Sequence, residues 1–390
     1  MPASRHAILC LVRHYLPGYK SGGPVRTLAN MVEHLGDELD FSVIATDRDH
    51  SDEQPYAQVR VDEWNPVGKA RVFYASPRSL SLTRLARIIS ATSHDVLYLN
   101  SFFDPVFTLR PLFARRLGLI PARPTVIAPR GEFSQGALAL KPSKKRTYML
   151  VAGLAGLYRD LAWQASSAYE AEDIRTTLGM TAQRVVVAPD LLPPAVAPVI
   201  AQPRQQGPLR ICFLSRITPK KNLDFLLRML ARVRSPVALQ IFGPIEDPAY
   251  WASCEALLRQ LPANVSARYA GSVEHSGVGQ VMRDHDLFFF PTHGENFGHV
   301  ILEAMLAGCP VLISDLTPWR ELQRQGVGWD LPLASEQRFV EVIEHCAHLS
   351  ATDYESLRLR VAAYASERLA DRSVVDANLR LFRALATGSE

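Results

Sequence analysis

Residues 293–315 read HGENFGHVILEAMLAGCPVLISD. Two glutamates, Glu295 and Glu303, stand eight residues apart, separated by Gly298, His299 and an apolar run. The preceding LFFFPT (287–292) reads as a buried strand, and HGENFG as a turn in which Gly294 and Gly298 supply backbone freedom. HVILEAMLAG reads as a helix ending at Gly308, with Val300, Ile301, Met305 and Leu306 available to face a sheet. PVLIS is the next strand. Glu295 therefore falls in a strand-to-helix loop, and Glu303 about one turn into the helix. Unpaired amides at such a helix start suit a diphosphate. The histidines suggest a metal at first sight, but a zinc deaminase pattern needs Pro-Cys-x-x-Cys. Here the order is Cys309-Pro310, with no second cysteine nearby.

The same strand–helix alternation extends outward. AILCLV, FSVIAT, RVFYA, DVLYLN, TVIAP, LAWQASS and RVVVAP are strand candidates in the first half. LRICFLSR, ALQIFG, SARYAG, LFFFP and PVLIS follow in the second. Near-continuous apolar strands separated by amphipathic helices such as VRTLANMVEHLG predict parallel sheets covered on both faces. Between the halves, five prolines in 193–208 mark a linker, because proline removes backbone donors and stops helix growth. The expected organisation is a first domain over 1–192, a linker over 193–208 and a second domain over 209–371. The helical stretch 372–388 has the option of packing back on the first domain. At 390 residues, two doubly wound domains are a better fit than one core.

Composition narrows the class. Hydrophobic residues make up 47% and charged residues 21%, a globular balance. The five cysteines are scattered, at neither metal-ligand nor redox spacing, and read as reduced thiols used as small apolar residues. The short AILCLV run is a first strand rather than a secretion signal. No run approaches the roughly eighteen apolar residues that a spanning helix needs. Charge is uneven. Residues 110–159 hold ten Lys or Arg against one acid, Glu132, a net of +9, so the overall +4 leaves about −5 for the rest. That segment also holds the uncharged TYMLVAGLAGLY. Its residues are equally compatible with docking on an anionic membrane surface and with a solvated basic face. Nucleic-acid binding is disfavoured, since no stacking aromatics or RNA motif accompany the charge.

Two further segments carry candidate chemistry. In SRITPKKNLDFLL (215–227), Arg216 and Lys221 follow a strand end by a few residues. A guanidinium and an ammonium so placed can share one diphosphate; taken alone, they also fit a solvated basic turn. In YLPGYKSGGPVRTLAN (15–30), Gly22 and Gly23 precede Pro24 at a helix start. This loop lets a ligand approach the backbone, but it matches neither the spaced dinucleotide fingerprint nor a phosphate loop.

Together, SRITPKKNLDFLL and the two-glutamate segment resemble the donor half of the family-4 retaining glycosyltransferases, the group 1 glycosyltransferases. The resemblance covers nearly the whole chain and is most specific at the two glutamates. It implies the GT-B fold, α/β, with two Rossmann-like doubly wound domains facing across a cleft. It also implies a hexosyltransferase that moves a sugar from a UDP- or GDP-linked donor to a saccharide acceptor, lipid-linked, in exopolysaccharide or lipopolysaccharide assembly. Under that resemblance Glu295 contacts donor-sugar hydroxyls beside the amides of Asn296, Phe297 and Gly298, and Glu303 holds the ribose hydroxyls. Arg216 and Lys221 bind the diphosphate, and Val300 and Ile301 present amides near the nucleotide. Gly22 and Gly23 shape the floor. Many members carry a histidine in the fifth strand-to-helix loop of the first domain. Here that place reads APRGEFS, so either Arg130 takes over a contact to the transferring sugar or the acceptor side differs.

No metal and no cofactor beyond the donor are expected. The expected location is cytoplasmic, peripheral on the inner face of the plasma membrane through 110–159. The alternatives are another enzyme of the same architecture, such as a sugar-nucleotide epimerase or a phosphorylase, or a non-catalytic nucleotide-sugar-binding protein. No lysine site for pyridoxal phosphate is evident for a phosphorylase.

Overall fold

The computed structural model describes residues 5–138, 142–179, 182–193 and 207–388. Most of the predicted linker 193–208 lies outside the described residues. The chain divides into two units, one of residues 1–194 with 371–390 and the other of residues 195–370.

In the first unit the strands are β1 (His6–Leu11), β2 (Leu39–Thr46), β3 (Trp64–Val67), β4 (Ala70–Ala75), β5 (Val96–Asn100), β6 (Thr125–Ala128), β7 (Leu161–Ala165) and β8 (Arg184–Val187). They form one sheet in the order β3-β4-β2-β1-β5-β6-β7-β8. Every described pairing is parallel except β3 with β4. The central strands are apolar on both faces because both are covered. Ile8, Cys10 and Val12 pack with Leu28, Met31 and Leu35 of the helix Gly23–Leu35. Leu9 and Leu11 pack on the opposite face with Leu85 and Ile89 of the helix Leu82–Ala91. This is the doubly wound arrangement that the apolar strands predict.

The last helix, Arg372–Thr387, belongs to this unit. Leu379, Leu381, Phe382 and Leu385 join the first of those two core faces. The Phe382 ring lies 6.2 Å from Phe41 and 5.7 Å from Tyr98. Burying each such side chain is worth about 1.5–3 kcal/mol.

The second unit has β9 (Leu209–Leu214), β10 (Val237–Phe242), β11 (Val265–Gly271), β12 (Leu287–Phe290), β13 (Val311–Ser314) and β14 (Gly328–Leu331). Their order is β11-β10-β9-β12-β13-β14, with all described pairings parallel. The four residues of β12 are fully buried, and Phe289 stacks on Phe339 at 5.7 Å. The order makes β9 and β12 neighbours, with Phe288 opposite Cys212. The loops after their carboxyl ends, 215–222 and 291–298, are therefore brought side by side.

Two strands escape the sequence reading. β3 (WNPV) contains a proline and sits at a sheet edge, where no ladder bond is forfeited. β14 (GWDL) is also an edge strand, and its Asp330 carboxylate turns to the amides of Glu321 and Leu322. The five cysteines are all buried, and none is joined in a disulfide. Among the described residues no helix is long and apolar enough to cross a membrane.

Candidate functional site

In the second unit the segment after β9 turns through a short 3-10 helix, Pro219–Lys221, to Asn222. Asn222 is buried in the left-handed conformation (φ 61°), and its side-chain amide donates to Pro291 O at 2.9 Å. His293 N and Thr292 Oγ1 both donate to Lys220 O, at 2.8 and 3.2 Å. The two loops are thus clipped together by backbone, independently of charge. That clip brings Lys221 Nζ to 2.5 Å from Glu295 Oε1. Thr292 Oγ1 also donates to Glu295 Oε1, at 3.1 Å.

The side chains of Lys221 and Glu295 are 11% and 14% exposed. Burial alone raises a carboxyl's pKa. Here burial is the largest single influence, but the Lys221 ammonium, Lys220 and the hydrogen bonds from Lys221 and Thr292 together outweigh it and hold Glu295 below its ordinary 4.5. The Lys221 ammonium also lies 5.3 Å from the Phe290 ring. Of its three donors, one is committed to Glu295.

Arg216 stands at the carboxyl end of β9 with Nη1 2.7 Å from Glu246 Oε2; both side chains are well exposed. An exposed pair of this kind is worth about 0–1 kcal/mol and is readily exchanged. The helix His299–Leu306 starts at Gly298, which is left-handed (φ 78°). A Cβ there would stand 2.8 Å from Ile301 Cδ1, so glycine meets both a conformational and a steric demand. Phe297 O accepts from Trp319 Nε1 at 2.7 Å, which fixes the loop before the helix. Asn296 lies in the same loop, partly buried.

Val300 is the second helical residue, where an amide precedes the first intrahelical acceptor. Ile301 differs from expectation. Its side chain is fully buried and its amide donates to Gly298 O at 2.9 Å, so that amide already has an internal partner. Glu303, a turn into the helix, has Oε1 3.5 Å from His275 Nδ1. Arg216, Lys221, Glu295 and Glu303 are thus all carried at or after strand carboxyl ends of one sheet, where doubly wound folds bind ligands.

The first unit holds the remaining predicted residues. Gly22 (φ 66°, ψ −124°) caps the helix Gly23–Leu35 in a conformation open to glycine, with Pro24 in its first turn. Arg130 follows β6, also left-handed (φ 56°). Its guanidinium turns inward: Nε donates to Asn100 Oδ1 at 2.9 Å, Nη1 to Asp190 and Nη2 to the Tyr98 hydroxyl. The network continues from Tyr98 OH to Gln164 Oε1 (2.7 Å) and from Gln164 Nε2 to Asn378 Oδ1 (3.0 Å) on the last helix. Arg130 and Asp190 are 7% and 2% exposed. Burial, the largest single influence, opposes the charge on Arg130, but Asp190 together with Tyr98, Glu170 and Cys10 more than restores it, and the pKa rises above its ordinary value.

Beside Arg130 lies a cavity of about 230 Å³ whose walls include Arg13, His14, His50, Asn100 and Glu132. Burial holds the His14 imidazole below its ordinary pKa, against a bond to Arg48 O. Asn100 Nδ2 points a buried donor with no hydrogen-bond partner among the described residues.

Sequence reasoning missed Thr292, Trp319, His14, His50, Asn100 and Asp190. Trp319 stands 22 residues from the loop it clamps, and Asp190 lies within a stretch whose prolines dominate its reading. Among the described residues no three His, Cys, Asp or Glu side chains converge on a metal position.

Residues 200–368 match the sequence profile of the glycosyl transferases group 1. The phosphatidyl-myo-inositol mannosyltransferase of Mycobacterium leprae is 30% identical over 186 residues, covering 45% of this chain and 47% of that protein. The chain thus spans less than half the length of the curated relatives it matches. Among solved structures, Anabaena Alr3699/HepE in complex with UDP-glucose superposes with a TM-score of 0.71 at 20% identity, covering 98% of this chain and 99% of that one. The sucrose-phosphate synthase of Thermosynechococcus elongatus gives 0.71 at 16% identity, over 99% and 100%. Arg216, Lys221, Glu295 and Glu303 therefore all lie in the part of the chain that matches the glycosyl transferases group 1, on a chain with the two-sheet α/β GT-B fold.

Proposed function

We propose that the protein is a retaining, metal-independent hexosyltransferase that moves a sugar from a nucleotide-diphosphate donor, UDP- or GDP-linked, to a saccharide acceptor. The observation that carries this reading is the Lys221–Glu295 pair, held at 2.5 Å by a backbone clip between two strand-end loops. A carboxylate with Lys221 on one oxygen keeps lone pairs to accept from sugar hydroxyls, and the ammonium keeps two donors for a phosphate. Arg216, bound to an exposed glutamate by an exchangeable pair, adds a bidentate donor. Val300 N at the helix start adds a neutral one, and Glu303 takes the ribose hydroxyls.

In the reaction the bond from the sugar's anomeric carbon to the donor phosphate breaks, and its electron pair leaves with the nucleotide diphosphate. The acceptor hydroxyl oxygen forms the new bond on the same face and gives its proton to a donor phosphate oxygen. Negative charge grows on the diphosphate as the bond breaks, so cations aimed there stabilise the transition state more than the ground state. Arg130, turned into its network, orders the loop after β6 and is a positioning residue. The acceptor is a lipid-linked saccharide in exopolysaccharide or lipopolysaccharide assembly. The net +9 segment 110–159 brings the protein to the inner face of the plasma membrane.

The test is nucleotide release and sugar transfer with a panel of UDP- and GDP-sugars in the presence of EDTA. Transfer with retained anomeric configuration, lost in Glu295→Ala, is the expected result. Donor binding with no transfer to any acceptor tried would instead identify a binding protein.

A further inference from the structure

The first sheet has a second cavity at the opposite end of its strands from Arg130. It encloses about 530 Å³ and is walled by residues at the amino ends of three adjacent strands: Thr125 of β6, Leu161 of β7 and Arg184 of β8. Four arginines, Arg115, Arg123, Arg159 and Arg184, line it against one acid, Asp160. Among the described residues Arg115, Arg123 and Arg159 form no ion pair with a carboxylate, and Arg115 Nε is a buried donor with no hydrogen-bond partner. The like charges of Arg115, Arg123 and Arg159 around one concavity repel one another unless an anion sits among them. Leaving Arg123 and Arg159 exposed without partners marks the cavity as a phosphate-type anion site. It is separated from the reaction side by the length of β6, since Thr125 opens that strand and Arg130 follows its end.

The surroundings identify the source of the anion. Leu117 and Leu119, which follow Arg115, are large exposed apolar residues. So are Leu150, Val151 and Leu154, on the helix Pro142–Leu154 that ends five residues before Arg159; Leu154 is 82% exposed. Arg115 Nη1 donates to Arg159 O at 3.2 Å and ties these two segments together. The only acid of the 110–159 segment, Glu132, turns inward to Ser101 Oγ and the amides of Phe102 and Phe103, so it does not offset the surface charge. Arginines around a cavity with a single acid, Asp160, on segments that also carry exposed leucines, match an anionic bilayer in both charge and polarity.

The geometry points to this cavity as a headgroup site for an anionic phospholipid, with the phosphodiester among Arg115, Arg123, Arg159 and Arg184 and the leucines entering the acyl boundary. This rests on the membrane contact proposed for 110–159 and gives it a specific docking point.

The full chain is sedimented with vesicles of phosphatidylcholine alone and of phosphatidylcholine mixed with phosphatidylglycerol, alongside Arg123→Ala/Arg159→Ala and Leu150→Ser/Leu154→Ser. Wild-type protein binds the mixed vesicles, less so as salt rises. The arginine variant partitions about 30-fold more weakly, at the usual increment for two basic residues at a membrane surface. Its thermal melting and its transfer to a water-soluble acceptor match wild type, because neither arginine lies in the reaction site. The leucine variant also loses binding. Equal binding by wild type and the arginine variant overturns the headgroup site while leaving a membrane contact elsewhere in 110–159. Failure of wild type to bind the mixed vesicles overturns both. Protection of backbone amides at 158–162 from hydrogen exchange by inorganic phosphate, with no binding to vesicles, assigns the cavity to a soluble anion and overturns the lipid. Vesicle binding in a protein that transfers no sugar leaves this inference standing while the transferase reading falls.

Discussion

Two buried ion pairs, one in each unit, look alike on paper and differ in what surrounds them. Arg130–Asp190 in the first unit and Lys221–Glu295 in the second each join a cation to a carboxylate beyond a strand end, with little exposure on either side. Around Arg130 each guanidinium nitrogen has an internal partner, and the partners are themselves bonded onward to Gln164 and Asn378. Around Lys221 there is one carboxylate and one aromatic face, and the ammonium keeps donors in reserve. A guanidinium whose three nitrogens are each engaged by the fold holds structure, even though Asn100 Nδ2 beside it lacks a hydrogen-bond partner among the described residues. A pair left open on one side has hydrogen-bonding capacity for a ligand without first breaking the fold. The difference comes from chemistry as well as place: the planar guanidinium fork suits several fixed acceptors, while the compact ammonium suits a charge that develops during a reaction.

The largest effect that separates the two concerns the closed network. Arg130→Ala removes the cation from buried Asp190 and a donor from Asn100 Oδ1 and the Tyr98 hydroxyl, and a loss of about 3–5 kcal/mol in unfolding free energy is expected in urea melts. A loss below about 1 kcal/mol would mean that the network is not closed. Next is the open pair. Lys221→Ala lowers the transfer rate by about 10²–10³-fold, with an unfolding midpoint shifted far less than by Arg130→Ala. A variant that keeps wild-type kcat/KM removes Lys221 from the reaction.

A smaller effect tests how far the closed network extends. Asn378→Ala deprives Gln164 Nε2 of one of its two acceptors and Pro189 O of the Asn378 donor, at about 1–3 kcal/mol. It is expected to loosen the last helix, measured by faster hydrogen exchange over 372–387. Unchanged exchange there confines the network to the strands.

The smallest effect is a pH dependence. Glu295 is held below its ordinary 4.5, so it binds fewer protons folded than unfolded. Its contribution to stability is present above the unfolded value and disappears as pH falls through the lower folded one. In acid titrations the advantage of wild type over Glu295→Gln should shrink below about pH 4.5. An advantage that stays constant, or grows toward acid, would contradict the role of Lys221 in setting that carboxyl.

The candidate site was unequally legible. Glu295 and Glu303 were readable because one strand, one turn and one helix carry both, and local chemistry assigns each to loop or helix. The Arg216–Lys221 segment was readable as a basic turn after a strand. That Lys221 rather than Lys220 meets Glu295 was not, since it depends on Asn222 adopting a left-handed turn and on Thr292 and His293 bonding to Lys220 O. Ile301 shows the reverse case: its place at a helix start suggested a ligand-facing amide, and the first turn uses that amide internally. Asp190, which sets the direction of Arg130, lies between the strand candidate RVVVAP and the proline-rich linker, where no local pattern marks it. The edge strands β3 and β14 were invisible for a related reason, since four-residue edges containing Pro66 or Asp330 carry no alternating apolar signal.

What the sequence determined by itself is what repeats locally. Apolar runs buried on both faces make parallel strands, 3.6-residue periodicity makes the covering helices, and glycine before a helix makes a ligand-accessible turn. What only the tertiary structure decided is which strand ends become neighbours. The order β9-β12 brings Lys221 to Glu295 across 74 residues, and the return of the last helix brings Asn378 to Gln164 across 214. Those meetings are set by sheet order and by the burial of Phe382 and its neighbours, long-range packing that no window of sequence contains.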